Sequence, residues 1–191
     1  AAGPVGRGLL ALAAERGMEA EARLREVIWI VLFAGFGGTG NYAAQAVRHI
    51  LRDPSANVPL FRRDAEAFVL EVARVYPAVG GMNFMEVRRP LELRTLSGGI
   101  LRVEPGAFAV TMISGANNDP TVFEDPGTFR PGRPNADRLL TWNAELRDIR
   151  AGTAPRGCPG AHLALRLATA VVSYFVAGAE EALGPGKGGE L

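Results

Sequence analysis

The chain has 191 residues, 48% of them hydrophobic, with 21 Lys and Arg set against 20 Asp and Glu for a formal net charge of +1. That length suffices for one globular domain, and the near-neutral balance lacks the basic excess that nucleic acid requires of a partner. A single cysteine excludes an internal disulfide framework and a multi-cysteine zinc site, and it fits a reducing compartment.

Residues 1–20 read as a helical lead-in, with no visible signal peptide. Residues 21–51 read as one long helix: charge clusters at Glu21, Arg23, Arg25 and Glu26, an apolar centre runs from Val27 to Phe36, and Asp53-Pro54 ends it. The apolar stretch is too short and too rich in glycine for a membrane span. In its middle, Ala34-Gly35-Phe36-Gly37-Gly38-Thr39 carries three glycines, each costing about 1 kcal/mol against alanine in a helix. Close approach of a flat ligand is one way to offset that cost. His49, near the helix end, is placed for a capping role, because a cation there suits the helix dipole.

Residues 60–77 form the next expected helix, halted by Pro77, with Glu71 and Arg74 three apart on one face. Residues 87–112 are the expected β region. Val87 to Arg94 and Ile100 to Val103 are short strand-like runs joined through Ser97-Gly98-Gly99, Glu104-Pro105-Gly106 closes the second, and Ala107 to Met112 is a further strand. Residues 113–158 read as an irregular meander in which Trp142 is the only large apolar anchor of the stretch Asn135 to Arg150. Residues 159–178 form an apolar helix expected to be buried over much of its circumference, and residues 179–191 a glycine-rich, flexible tail.

The lone Cys158 ends a rigid loop, Arg156-Gly157-Cys158-Pro159-Gly160, at the start of that last helix. A lone cysteine is more often a small packing residue than a reactive one. Here position favours ionised sulfur: the helix N-terminus, Pro159 at the first helical position, the charge of Arg156, and any bound iron all stabilise a thiolate. His162, four residues on, shares the helix side. It reads as a polar contact near the helix start, since sulfur and imidazole on one helical turn cannot take opposite axial positions on a metal.

The run Arg156 to Gly160 resembles the haem-binding cysteine loop of the cytochrome P450 superfamily. The resemblance implies Cys158 as the axial iron ligand of haem b, Arg156 on a haem propionate, and Gly160 packed under the porphyrin. The family's usual phenylalanine and first glycine are replaced by Ala151 and Ala154. Upstream motifs follow in the family's order. Glu71-Val72-Ala73-Arg74 is similar to its Glu-x-x-Arg helix, and Arg133 stands where the family places the arginine that completes a structural network with it. Arg89, with Arg88 beside it, matches a second propionate contact, against an ordinary solvated face. The implied fold is mainly α with a small β region (α+β), corresponding to the C-terminal half of the family fold.

Residues 34–39 resemble the family's central helix, in which an acid and a hydroxyl deliver protons to oxygen. Without gaps the acid becomes Gly37 and the hydroxyl residue Gly38, with Thr39 one place later; Ala34, Gly35, Gly37, Gly38 and Thr39 are the distal candidates. Superfamily membership implies a monooxygenase on a small apolar substrate, drawing electrons from a reductase or ferredoxin. The paired glycines are similar to the allene oxide synthase and hydroperoxide lyase branch, which implies a lipid hydroperoxide substrate and no electron donor. A non-catalytic truncated fragment is the alternative of another class. The chain corresponds to less than half of a family member, so a cytoplasmic location and membrane association through a preceding region are both expected possibilities.

Overall fold

The structure, a computed structural model, describes residues 11, 14, 15, 17, 20–95 and 97–183. The expected lead-in therefore lies mostly outside the described residues. The long central helix is present but not uniform. An α-helix, Ala20–Ile30 (α1), runs into a π-helical stretch, Val31–Phe36, and continues as Gly37–Arg52 (α2). The wider π turns take in Gly35 while Gly37 and Gly38 open α2, and such bulges are frequent at functional sites. Beyond it, α2 buries Tyr42, Ala43, Ala46 and Ile50 at three- and four-residue spacing, one face of a 3.6-residue period.

The helix expected over residues 60–77 is instead two. Asp53 caps Pro54–Arg63 (α3), accepting a hydrogen bond from the Ala56 N–H at 3.1 Å. Asp64 then caps Ala65–Val75 (α4) by accepting from the Ala67 N–H at 2.9 Å. The extended backbone at Asp64 breaks the run, because an aspartate carboxylate satisfies orphan helix donors better from the cap than from the interior. Every residue of α4 from Phe68 to Arg74 is buried.

Four short strands make two antiparallel pairs: Met82–Glu86 (β1) with Phe108–Thr111 (β4), and Leu91–Arg94 (β2) with Ile100–Val103 (β3). Strand β1 was not expected from the sequence. The strand read as starting at Val87 starts at Leu91, since Pro90 cannot donate to a ladder. Val87 is still held, donating to Ala107 O at 2.8 Å while its carbonyl accepts from the Gly106 N–H at 2.9 Å.

The meander contains Ile113–Ala116 (α5), a 3-10 turn at Ala136–Arg138, and Leu146–Ala151 (α6), so the stretch read as irregular holds three helical pieces. Trp142 is not its only large apolar anchor, because Leu139 and Leu146 are buried beside it. The last helix, Ala161–Leu183 (α7), runs past the expected boundary; residues 179–183 are helix, and residues 184–191 lie outside the described set. It is not buried over most of its circumference. Ala161, Ala164, Leu165, Ala168, Val172 and Val176 form one buried stripe against the core, while Leu163, Leu167, Tyr174 and Phe175 are exposed. The largely small residues of the stripe let α7 lie close on α2 and α4, and no described element covers its other face.

Candidate functional site

Glu71, Arg74 and Arg133 meet in the interior, each nearly inaccessible to solvent. Arg74 grips the carboxylate in a fork, Nε to Oε2 at 2.9 Å and Nη2 to Oε1 at 2.8 Å. Arg133 Nε donates to Oε1 at 2.9 Å, and the Arg130 backbone N–H adds a bond at 3.0 Å. Two guanidiniums on one carboxylate leave excess positive charge, which backbone carbonyls absorb. Arg74 donates to Asn117 O and Pro126 O, both at 2.8 Å. Arg133 donates to the carbonyls of Glu124, Asp125 and Thr128. Burial alone would raise the Glu71 carboxyl above its ordinary value, but the donors from Arg74, Arg130 and Arg133 outweigh it and hold the group below.

Asn117 carries this network onward. It is fully buried, its carbonyl accepts from Arg74, its Nδ2 donates to Thr141 Oγ1 at 3.1 Å, and its Oδ1 accepts from the Leu140 N–H at 2.8 Å. Thr141 in turn donates to Ala73 O at 2.6 Å on α4. The next two residues reach the cysteine loop. Trp142 O accepts from the Cys158 N–H at 2.9 Å, and Asn143 Nδ2 donates to Arg156 O at 2.9 Å. The Trp142 ring packs edge-on against Tyr42 of α2, with centroids 5.8 Å apart, and the Tyr42 hydroxyl donates to Val69 O at 2.6 Å. Burial, helped by the charge of Glu66, pushes that phenol well above its ordinary range, so it stays a donor.

The loop is thus fixed while its cysteine stays open. Cys158 is exposed, as is Arg156. Gly157 sits in a tight place: a Cβ there would lie 3.0 Å from both Ala154 Cβ and Ile149 Cγ1, so those side chains would have to give way. At Gly160 a Cβ would stand in ordinary contact with the sulfur, 3.8 Å away, so this glycine lies beside the thiol. On the central helix, a Cβ at Gly35, Gly37 or Gly38 meets nothing within 4 Å. The side chains between and before them, Leu32, Phe33 and Phe36, are exposed, and Thr39 is half-buried.

These residues fit a haem. Among the described residues no three His, Cys, Asp or Glu side chains are grouped to hold an ion. A macrocycle that carries the metal's other ligands asks only one exposed donor of the protein, with room beside it. An exposed thiol, a glycine beside it, a neighbouring arginine and open apolar surface meet that demand.

The other candidates are placed less centrally. Arg88 and Arg89 are exposed. His162 is exposed in a cleft with Glu66, Arg150 and Arg166. The capping role expected of His49 is not what the structure shows. Its ring lies tilted against Phe129, centroids 3.8 Å apart, and is flanked by Phe68 and Tyr76, with Nδ1 buried and unpartnered. Burial first, then the charge of Arg52, lowers its pKa from 6.5 against the opposing pull of Glu71, so the cation that a cap requires is disfavoured. Sequence reading missed Asn117, Thr141 and Asn143. Polar side chains in a meander carry no periodicity, and only an adjacent Trp-Asn pair before the cysteine loop marks the place.

No family model matches the chain. It is 30% identical over 126 residues to a putative cytochrome P450 140 of Mycobacterium tuberculosis, covering 64% of this chain and 27% of that protein. It is 32% identical over 149 residues to the cytochrome P450 family protein EryCII of Saccharopolyspora erythraea, covering 74% and 35%. The solved structure of the tirandamycin C-bound P450 monooxygenase TamI superposes with a TM-score of 0.70 at 20% identity, over 92% of this chain and 41% of that one. The chain belongs to the cytochrome P450 superfamily and has part of its α+β fold. It spans about a third or less of the length of these two relatives.

Proposed function

We propose that the protein is a haem-thiolate oxidoreductase with Cys158 as iron ligand, a monooxygenase acting on a small apolar substrate. The reading rests on one observation above all: the only cysteine is exposed at the start of α7, on a loop whose backbone is hydrogen-bonded to Trp142 and Asn143. Haem, when bound, supplies the redox centre, and a thiolate ligand adds electron density that favours O–O cleavage. The chain's own residues bind, orient and exclude water. Arg156 and Arg89 are cations for acidic groups at the cofactor edge, and the exposed Leu32, Phe33 and Phe36 offer an apolar wall to substrate. A reductase or ferredoxin is the partner class such a monooxygenase needs.

Gly37 and Gly38 favour a second reading within the same class, an isomerase, lyase or peroxygenase working on a peroxide or lipid hydroperoxide. Neither glycine has a group that can move a proton, and Thr39 is the only hydroxyl in the 34–39 segment. A substrate whose O–O bond arrives already made removes the need for such a relay.

The first experiment is spectroscopic. Reduced, haem-loaded protein exposed to carbon monoxide is expected to give the strongly red-shifted Soret band of thiolate ligation, and Cys158→Ala to abolish it. A spectrum of imidazole type, or no haem uptake, overturns the proposal. Turnover of a lipid hydroperoxide without reductant, against turnover of an unoxidised substrate with NADPH and a reductase, separates the two chemistries. Activity in the second assay alone refutes the hydroperoxide reading.

A further inference from the structure

We propose that Asn143 is a positioning residue for the sulfur of Cys158, clamping the peptide before Gly157 while the neighbouring Trp142 carbonyl clamps the one after it; this rests on the reading of Cys158 as the iron ligand. The peptide between Arg156 and Gly157 is held through its carbonyl, which accepts from Asn143 Nδ2 at 2.9 Å. The following peptide, between Gly157 and Cys158, is held through its N–H, which donates to Trp142 O at 2.9 Å. Adjacent residues of one segment therefore fix consecutive peptide planes. With the Asn143 bond lost, the first plane keeps only the longer bond from the Gly157 N–H to Ala154 O at 3.2 Å, and glycine has no side chain to resist rotation.

The geometry of Asn143 supports a specific task. Its φ is +64°, in the left-handed region that asparagine tolerates better than most residues with a side chain. That backbone turn is secured by the Asn143 N–H donating to Leu140 O at 3.1 Å. The segment behind it is held at several points. Leu140 and Thr141 are bonded to Asn117, Thr141 also to Ala73 O, and Trp142 packs on Tyr42. The clamp is thus anchored in the buried arginine network and ends at an exposed side-chain amide.

The chemical consequence follows from where peptide dipoles point. Hydrogen bonds around a ligating thiolate tune the potential of its metal. With the Cys158 N–H committed to Trp142 O, that donor is withheld from the sulfur. Releasing the Arg156 carbonyl lets the loop relax and N–H groups or water reach the thiolate, which weakens its donation and raises the potential.

Two variants separate this role from general stability. Asn143→Gly keeps the left-handed backbone and drops the amide. Asn143→Asp keeps the shape and replaces the donor by an acceptor. In the haem-loaded protein, both are expected to raise the midpoint potential and at least double the fraction of carbon monoxide complex lacking thiolate character, with the Asn143→Gly melting midpoint close to that of the parent. Without haem, the amides of Gly157 and Cys158, which are hydrogen-bonded to Ala154 O and Trp142 O, are expected to exchange about tenfold faster in Asn143→Gly, while α4 and α7 keep their protection. A thiolate-type parent whose variants share its spectrum and potential overturns the positioning role. Unchanged exchange overturns the clamp itself. A parent without thiolate character overturns the assignment of Cys158 and this role together, and the exchange arm still reports whether Asn143 holds the loop.

Discussion

Replacing Glu71 with alanine tests whether the buried network carries the fold. The change removes the acceptor of four hydrogen bonds: Arg74 Nε, Arg74 Nη2, Arg133 Nε and the Arg130 N–H. It leaves two guanidiniums, 1% and 4% exposed, with no counter-charge. Each unsatisfied buried donor costs about 1–3 kcal/mol, but the arginines keep their carbonyl partners, so the bonds do not add independently. The expected loss is the roughly 3–5 kcal/mol typical of removing one member of a buried ion pair, a large share of the 5–15 kcal/mol that holds an ordinary domain together. Glu71→Gln keeps the shape and one acceptor but not the charge, and should lose about half as much. Urea unfolding followed by circular dichroism, with the slope checked for constancy, measures both. A loss under about 1 kcal/mol for Glu71→Ala, the scale of an exposed ion pair, refutes the reasoning.

The pH dependence has two expected limbs. Glu71 is held below its ordinary 4.5, so its contribution is complete above that value and fades as pH falls through the lower folded value. His49 is lowered from 6.5, so its contribution is complete above 6.5 and fades as pH falls toward the lower folded value, because the unfolded chain takes up the proton before the half-buried ring does. His49→Phe, which keeps the ring contact with Phe129, should flatten the second limb alone; an unchanged profile between pH 7 and about 5 counts against a neutral, half-buried imidazole. Gly157→Ala forces a methyl to 3.0 Å from Ala154 and Ile149. An overpacking cost of about 1–3 kcal/mol is expected, together with weaker haem uptake, measurable by thermal melting and haem titration. A variant with parental melting and uptake shows that the loop yields freely.

Much of the fold was readable from residue type and spacing. Glu71 and Arg74 at helical spacing, the Gly35 to Gly38 cluster, and the loop of Arg156, Cys158 and Gly160 are local signals, and each falls in the element expected of it. What failed were boundaries set by competition. The break at Asp64 depends on a carboxylate preferring a cap to a helix interior. The place of His49 was misread because helix position suggested a cation, whereas burial among Phe68, Tyr76 and Phe129 favours the neutral ring.

The sequence by itself determined the class of protein: one thiol at a helix start, preceded in order by an acid-arginine helix and a later arginine. Those are covalent facts about which groups exist and how far apart along the chain they lie. Only the tertiary structure decided how the thiol is held. The path from Arg74 through Asn117, Thr141 and Trp142 to Cys158 joins residues remote in sequence. Hydrogen bonds of that kind obey no chain period, so their partners become known only once packing has brought them within reach.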